Sequence, residues 1–199
     1  MKKPILLPIL TILLCAVVLF GTALGLNGIA AENAQEAHLT LMRTLLPGSE
    51  SFTLEPYAGE DSNIVSVHKG ENGFVIETET YGYAGNINMM IGVSNAGKVT
   101  GLVVRDMRET FGLGAEALTD HVFLAQFLNS SGSFSIGTPG ETDAFSGATS
   151  ETAEAEDSVY VDGITGATVT SKAIARSVNS AVGFVTGADA SSAATSWGG

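Results

Sequence analysis

Residues 161–178 read VDGITGATVTSKAIARSV. Asp162, Thr165, Thr168, Thr170 and Ser171 bring one carboxylate and four hydroxyls into a short stretch, and Gly163 and Gly166 let a backbone approach a bulky group closely. Downstream, Ile174, Val178, Ala181, Val182 and Val185 recur at i, i+4, i+7, i+8 and i+11, which predicts a helix starting near Thr170. Residues 168–171 then lie at a helix start, where free N–H groups and the dipole favour an anion. All four hydroxyls are expected around that one spot. The chemistry is that of a phosphate cradle holding a nucleophilic hydroxyl that can be esterified. An ordinary capped helix start uses the same residue types, so the residues alone leave both readings open.

The longer pattern, Asp-x-x-Thr-Gly-Ala-Thr at 162–168 followed by Val-Thr-Ser-Lys-Ala, resembles the flavinylation site of the FMN-binding subunits of Rnf and Nqr respiratory complexes. The resemblance implies that Thr168 carries FMN through a phosphoester bond, with Thr165, Gly166, Ala167, Thr170 and Ser171 around the cofactor. It also implies a separate flavin transferase, using FAD and Mg²⁺, that reads Asp162 as part of its recognition sequence. A second segment, RETFGLGAE at 108–116, resembles the family's Glu-Thr-Pro-Gly-Leu-Gly loop beside the flavin. Glu109, Thr110, Gly112, Leu113 and Gly114 match it, and Phe111 stands where Pro is usual. YGYAGNINMMIGV, 81–93, is similar to the family's Gly-Tyr-Gly-Gly strand start, with Ala84 for the first of the paired glycines. The resemblance covers residues 1–46 and 73–187, and the short chain fits the G subunit of the Rnf type better than the C subunit of the Nqr type. A partial copy, DAFSGAT at 143–149, makes Thr149 a second candidate acceptor, but SETAEAED follows it in place of an apolar helix.

Composition says where such a site would live. The first 31 residues carry only Lys2 and Lys3 as charges, and Ile5–Leu26 is apolar enough in sequence to cross a bilayer core of ~30 Å as a helix. A cleaved signal peptide is the rival reading, although its apolar region is typically only ~7–15 residues. With the two lysines kept inside, the rest of the chain is expected on the extracytoplasmic side of the cell (inner) membrane. That rest holds all 21 acidic residues, and its balance argues against nucleic acid and against an anionic lipid surface. The single cysteine, Cys15, lies in the apolar run, so no disulfide forms within the chain and no Cys-ligated cluster is expected. His38, His68 and His121 are scattered without ligand spacing, and no metal site is expected.

Several elements must position the motif. Leu39, Met42, Leu45 and Leu46 share one helical stripe within 32–46, which Pro47-Gly48 ends. Residues 49–73 are polar and rich in turn formers, without an evident strand. Runs at 73–82, 87–93 and 98–105 read as strands of a meander, and SNAGK at 94–98 reads as a hairpin connection. A helix is expected near Thr119–Leu128 with Val122, Phe123 and Phe127 inward. Residues 129–160 read as a solvated loop, 141–157 holding acids and no base. The expected fold is α+β: a small FMN-binding domain with an antiparallel meander sheet packed by helices, tethered to one N-terminal transmembrane helix. Its parts are an anchor at 1–27, a connecting helix at 28–48, the domain at 49–187 and a flexible tail at 188–199.

By this resemblance the chain would relay electrons through covalent FMN within an ion-translocating ferredoxin:NAD⁺ oxidoreductase, alongside the A, B, C, D and E subunits of an Rnf complex. It would have no substrate pocket of its own. A stand-alone membrane-tethered flavoprotein reductase and a non-redox anchored binding domain are the alternatives.

Overall fold

The computed structural model describes residues 6–110, 112, 114–137 and 158–187, and the chain divides into two compact units, Met1–Leu41 and Met42–Gly199. Helix α1, Leu6–Leu45, makes up the first and continues into the second. It runs without a break through 27/28, where the sequence places a boundary between anchor and connecting helix. The described side chains of its apolar run lie at 9–22, and Ile9, Leu10, Ile12, Leu13, Leu14, Val17, Val18, Leu19 and Phe20 are all exposed. Among the described residues no helix is long and apolar enough to cross a membrane.

The second unit is built on a five-stranded antiparallel sheet whose strands follow chain order: β1 (Thr53–Glu55), β2 (Ile64–Lys69), β3 (Gly73–Tyr81), β4 (Asn86–Ser94) and β5 (Val99–Met107). β3 and β4 pair along their whole length, from Gly73↔Ser94 to Tyr81↔Asn86. The SNAGK hairpin forms as its sequence predicts: Gly97 takes φ +76 and Ser94 N–H donates to Lys98 O at 2.8 Å. β4 is continuously apolar and buried from Met89 to Val93, because both of its faces are covered there. On one side lies α4 (Thr168–Thr186). On the other lies the end of α1, where Leu45 O accepts from Thr100 Oγ1 at 2.5 Å and its main chain touches Gly92 and Gly101.

Four expectations need correction. Residues 49–73 contain β1 and β2; a register shift between Ile64 and Ser66 breaks the alternation that would have revealed β2. The helix expected near Thr119–Leu128 is the shorter α3 (His121–Ala125), and a helix not expected, α2 (Gly114–Thr119), precedes it; the two are separated at Asp120, whose Oδ1 accepts from Val122 N–H at 2.8 Å and Phe123 N–H at 3.2 Å. That break turns Val122 outward, 78% exposed, while Phe123 and Phe127 are buried. Finally, 129–160 is not all loop: β6 (Ser133–Ile136) and β7 (Ser158–Val161) pair in parallel, and Phe134 and Val161 enter the core.

The core is where α4 meets the sheet. Ala173, Ile174, Val178, Ala181 and Val182 are buried against Val67, Ile76, Ile87, Met89, Ile91 and Val93. The contact has a polar centre: the buried Thr80 hydroxyl donates to Ala173 O at 3.2 Å and shares a 2.9 Å hydrogen bond with Ser177 Oγ. Below the start of α4, Phe127 stands edge-on to Phe123 at 5.5 Å and tilted against Phe134 at 5.3 Å. Phe127 is fully buried and ties α3 and β6 to this core. Phe127→Ala should therefore cost about 3–5 kcal/mol, read as a lower urea midpoint for the full chain with an unchanged slope.

Candidate functional site

The motif begins where β7 ends. Asp162 N–H donates to Gln126 Oε1 at 2.9 Å, and Gln126 Nε2 returns a hydrogen bond to Asp162 O at 3.3 Å. One side-chain amide thus satisfies both main-chain groups of Asp162, whose carboxylate remains exposed. Residues 164–167 form a turn closed by Ala167 N–H to Ile164 O at 2.9 Å. Gly166 is the third residue of that turn and takes φ +83, as a type II turn requires.

Helix α4 begins at Thr168, earlier than the apolar spacing predicts. Its N-cap is Ala167, which offers no side-chain hydrogen bond, so the ordinary Thr or Ser cap is absent and the first N–H groups lack a side-chain acceptor. The four hydroxyls do not gather at one spot. Thr165 and Thr168 are exposed, whereas Thr170 is 1% exposed and Ser171 fully buried. Ser171 Oγ accepts from Ile164 N–H at 3.3 Å and so closes the loop that precedes the helix. Thr170 Oγ1 is buried without a hydrogen-bond partner among the described residues.

The loop at 108–116 reaches the same place. Glu109 accepts from Tyr83 N–H at 2.7 Å through Oε1 and from Ala84 N–H at 3.3 Å through Oε2. Thr110 is exposed, and its carbonyl accepts from Ala115 N–H at 3.1 Å. Gly114 lies beside α4: a Cβ on it would sit 2.6 Å from Glu109 Oε2 and 2.7 Å from Thr170 Oγ1. The structure therefore brings Gly114, Glu109 and Thr170 together, while Thr168, two residues earlier on α4, faces outward. Phe111, Leu113 and Thr149 lie outside the described residues. Gln126 was missed as a site residue because its partner is main chain, and no sequence pattern announces such a pairing.

Gly112 and Gly114 are glycine for different reasons. Gly112 takes φ +81 with nothing within 4 Å of its would-be Cβ, so the constraint is conformational. Gly114 is constrained by space, and neither neighbour can step aside freely: two N–H groups hold Glu109, and Thr170 is buried. Gly112→Asn should stay within about 1 kcal/mol of wild type, because Asn tolerates the left-handed region. Gly114→Ala should lose roughly 1–3 kcal/mol by overpacking. Paired denaturation curves of the two variants check both expectations.

Residues 82–183 match the family described as FMN-binding domain. The chain is 30% identical over 176 residues to the G subunit of the ion-translocating oxidoreductase complex of Methanosarcina acetivorans, covering 82% of this chain and 81% of that one. It is 33% identical over 130 residues to the G subunit of the Na⁺-translocating ferredoxin:NAD⁺ oxidoreductase complex of Acetobacterium woodii, covering 65% of this chain. The latter match spans about half of that relative's length, 54%. Among solved structures, the C subunit of the Na⁺-translocating NADH-quinone reductase of Parabacteroides distasonis aligns with a TM-score of 0.43 at 26% identity, over 61% of this chain and 60% of that one. The matched segment runs from the turn that Glu109 holds to the buried face of α4, and the chain belongs to the FMN-binding domain family.

Proposed function

We propose that this chain is the G-type electron-carrying subunit of a membrane-bound ion-translocating ferredoxin:NAD⁺ oxidoreductase, with FMN esterified through its phosphate to Thr168. The observation that carries the reading is the first turn of α4. An exposed threonine hydroxyl stands at the first position of a helix whose N-terminus has no side-chain cap. Such an end accepts an anion, because its free N–H groups and the dipole offset the charge.

The residues fit a covalently held flavin phosphate. Thr168 would supply the ester oxygen and Gly166 would keep the approach free of side chain, while Thr170, assigned to the cofactor from the sequence, lies buried beside Gly114 beneath the helix start. Thr110 and Gly112, both exposed, and Leu113 are assigned to the same cradle from the sequence. Bound there, the flavin supplies electron exchange with neighbouring redox groups. The chain's part is to hold and orient it, and a covalent tether keeps it from being lost outside the cytoplasm. Family membership supports FMN as the cofactor, and the relatives' names support assembly with the other subunits of such a complex. Ion translocation needs a membrane. The uncharged run at 4–31 following two lysines supports an N-terminal anchor with the domain on the extracytoplasmic side.

The test is the intact mass of the full chain made together with a flavin transferase. Wild type should gain one FMN, and Thr168→Ala should gain none while its stability stays within about 0.5 kcal/mol, as for an exposed position. Retention of FMN by Thr168→Ala would move the acceptor to Thr149.

A second variant tests the recognition sequence. Asp162→Ala removes an exposed carboxylate, while Gln126 still holds the main chain at that residue. We expect it to fold as wild type and to carry little or no flavin. Full flavin loading would remove Asp162 from what the transferase reads.

A further inference from the structure

We propose that Glu109 is a positioning residue for the flavin: its carboxylate locks the Gly82–Gly85 turn to Gly114 and so fixes the wall of the cradle beside Thr170. The inference rests on the reading of this site as a flavin site and names a residue that acts on it through the backbone.

Three observations carry it. First, both oxygens of the carboxylate accept from consecutive main-chain N–H groups, of Tyr83 at 2.7 Å and Ala84 at 3.3 Å. Consecutive amides that converge on one anion make a concave, charge-assisted site. Among the described residues no ion pair of Glu109 is found, and the two amides are its hydrogen-bond partners there. Secondly, the carboxylate lies between two glycine backbones. A Cβ on Gly82 would collide with Oε1 and come within 2.8 Å of Ile87 Cδ1, and one on Gly114 would come within 2.6 Å of Oε2. Only glycine on both sides leaves room for this side chain.

Thirdly, the turn it holds is fixed at its other corners too. Gly82 N–H donates to Gly85 O at 2.8 Å, and Arg176 Nη2, from the middle of α4, donates to Tyr81 O at 3.0 Å. The sheet's β3–β4 turn, the loop after β5 and the first half of α4 are thereby joined into one body around the would-be Cβ of Gly114. The point on which Glu109 and Thr170 converge is the one polar spot of this wall whose hydroxyl is buried and unpartnered among the described residues. A carboxylate that needed only solvation would not require two glycines and two amides. Its geometry serves the wall.

The experiment uses the full chain in two states. In the Thr168→Ala background, which carries no flavin, the amide resonances of Tyr83 and Ala84 report the clamp by itself. Glu109→Ala should displace both, and Glu109→Gln, which keeps a carbonyl acceptor, should restore that of Tyr83. In the flavin-loaded chain, Glu109→Ala should alter the visible circular dichroism of the flavin. Glu109→Gln should recover most of that band while shifting the midpoint potential upward, because a negative charge beside the reduced cofactor is gone. Unmoved amides would show that there is no clamp and overturn the proposal. Moved amides with an unchanged flavin spectrum and midpoint would reduce Glu109 to a structural role and overturn it as well. If Glu109→Ala does not fold, Glu109→Asp, which keeps the charge but shortens the reach of the carboxylate, replaces it. Displaced Tyr83 and Ala84 amides with an altered flavin band then support the proposal, and an unchanged band overturns it. A wild-type chain that takes up no flavin would sink the functional reading and this inference with it, an outcome that the flavin-free amide shifts keep distinct from loss of the clamp.

Discussion

The fit of α4 onto β3 and β4 is the interaction on which the rest of the domain depends. Ala173, Ser177, Ala181 and Gly183 keep the buried side of the helix low, so its backbone can lie close to the sheet. Ile174, Val178 and Val182 fill the space between. Close approach also brings the Ala173 carbonyl within reach of Thr80, and the Thr80–Ser177 pair then satisfies polar groups that burial would otherwise penalise. Hydrophobic area sets the strength of this contact, and the hydroxyls set its register. A helix that slid by one turn would separate Thr80 from both partners. Its first residue, Thr168, is therefore placed by contacts made one to three turns further along.

Two side-chain amides then behave as strands one residue long. Asn179, on α4, donates to Phe134 O at 2.9 Å and accepts from Phe134 N–H at 2.7 Å, fixing β6 against the helix. Gln126 does the same for Asp162 at the end of β7. β6 and β7 are only four residues each and pair only with one another among the described residues. The amides close what would otherwise be unpaired main chain at the edges of this small sheet. The approach to α4 is thus held from both sides, by Gln126 before the turn and by Asn179 after it.

What was legible in the sequence followed physical range. The meander of β3, β4 and β5 declared itself through alternation and a glycine hairpin, which are local signals. The apolar side of α4 did so through its spacing. β2 was hidden because its bulge spoils the period, and β6 and β7 because four residues carry too little pattern among Ser and Gly. α2 was hidden because the glycines flanking Leu113 read as loop, and α3 begins only at His121 because Asp120 caps it. At the proposed site, residue types are what singled out Thr168 and the glycines. The spacing could not show that Thr170 and Ser171 turn inward, since that follows from where the helix docks. Glu109 was visible as a motif residue, but the amides it binds come from a turn 25 and 26 positions away.

The inward turn of half the motif has a consequence for how such a sequence is read by another macromolecule. From outside, the folded domain displays Asp162, Thr165, Gly166, Thr168 and Val169, while Ala167, Thr170, Ser171 and Ala173 face its interior. The contiguous string DGITGATVTSKA is therefore two messages written over each other, an outward label and an inward packing code. If a transferase reads this stretch, as proposed, damage to the label would leave a well-made domain that goes unrecognised. Damage to the packing code would spoil the surface on which the label is printed, so both kinds of lesion would end in the same unmodified protein by different routes.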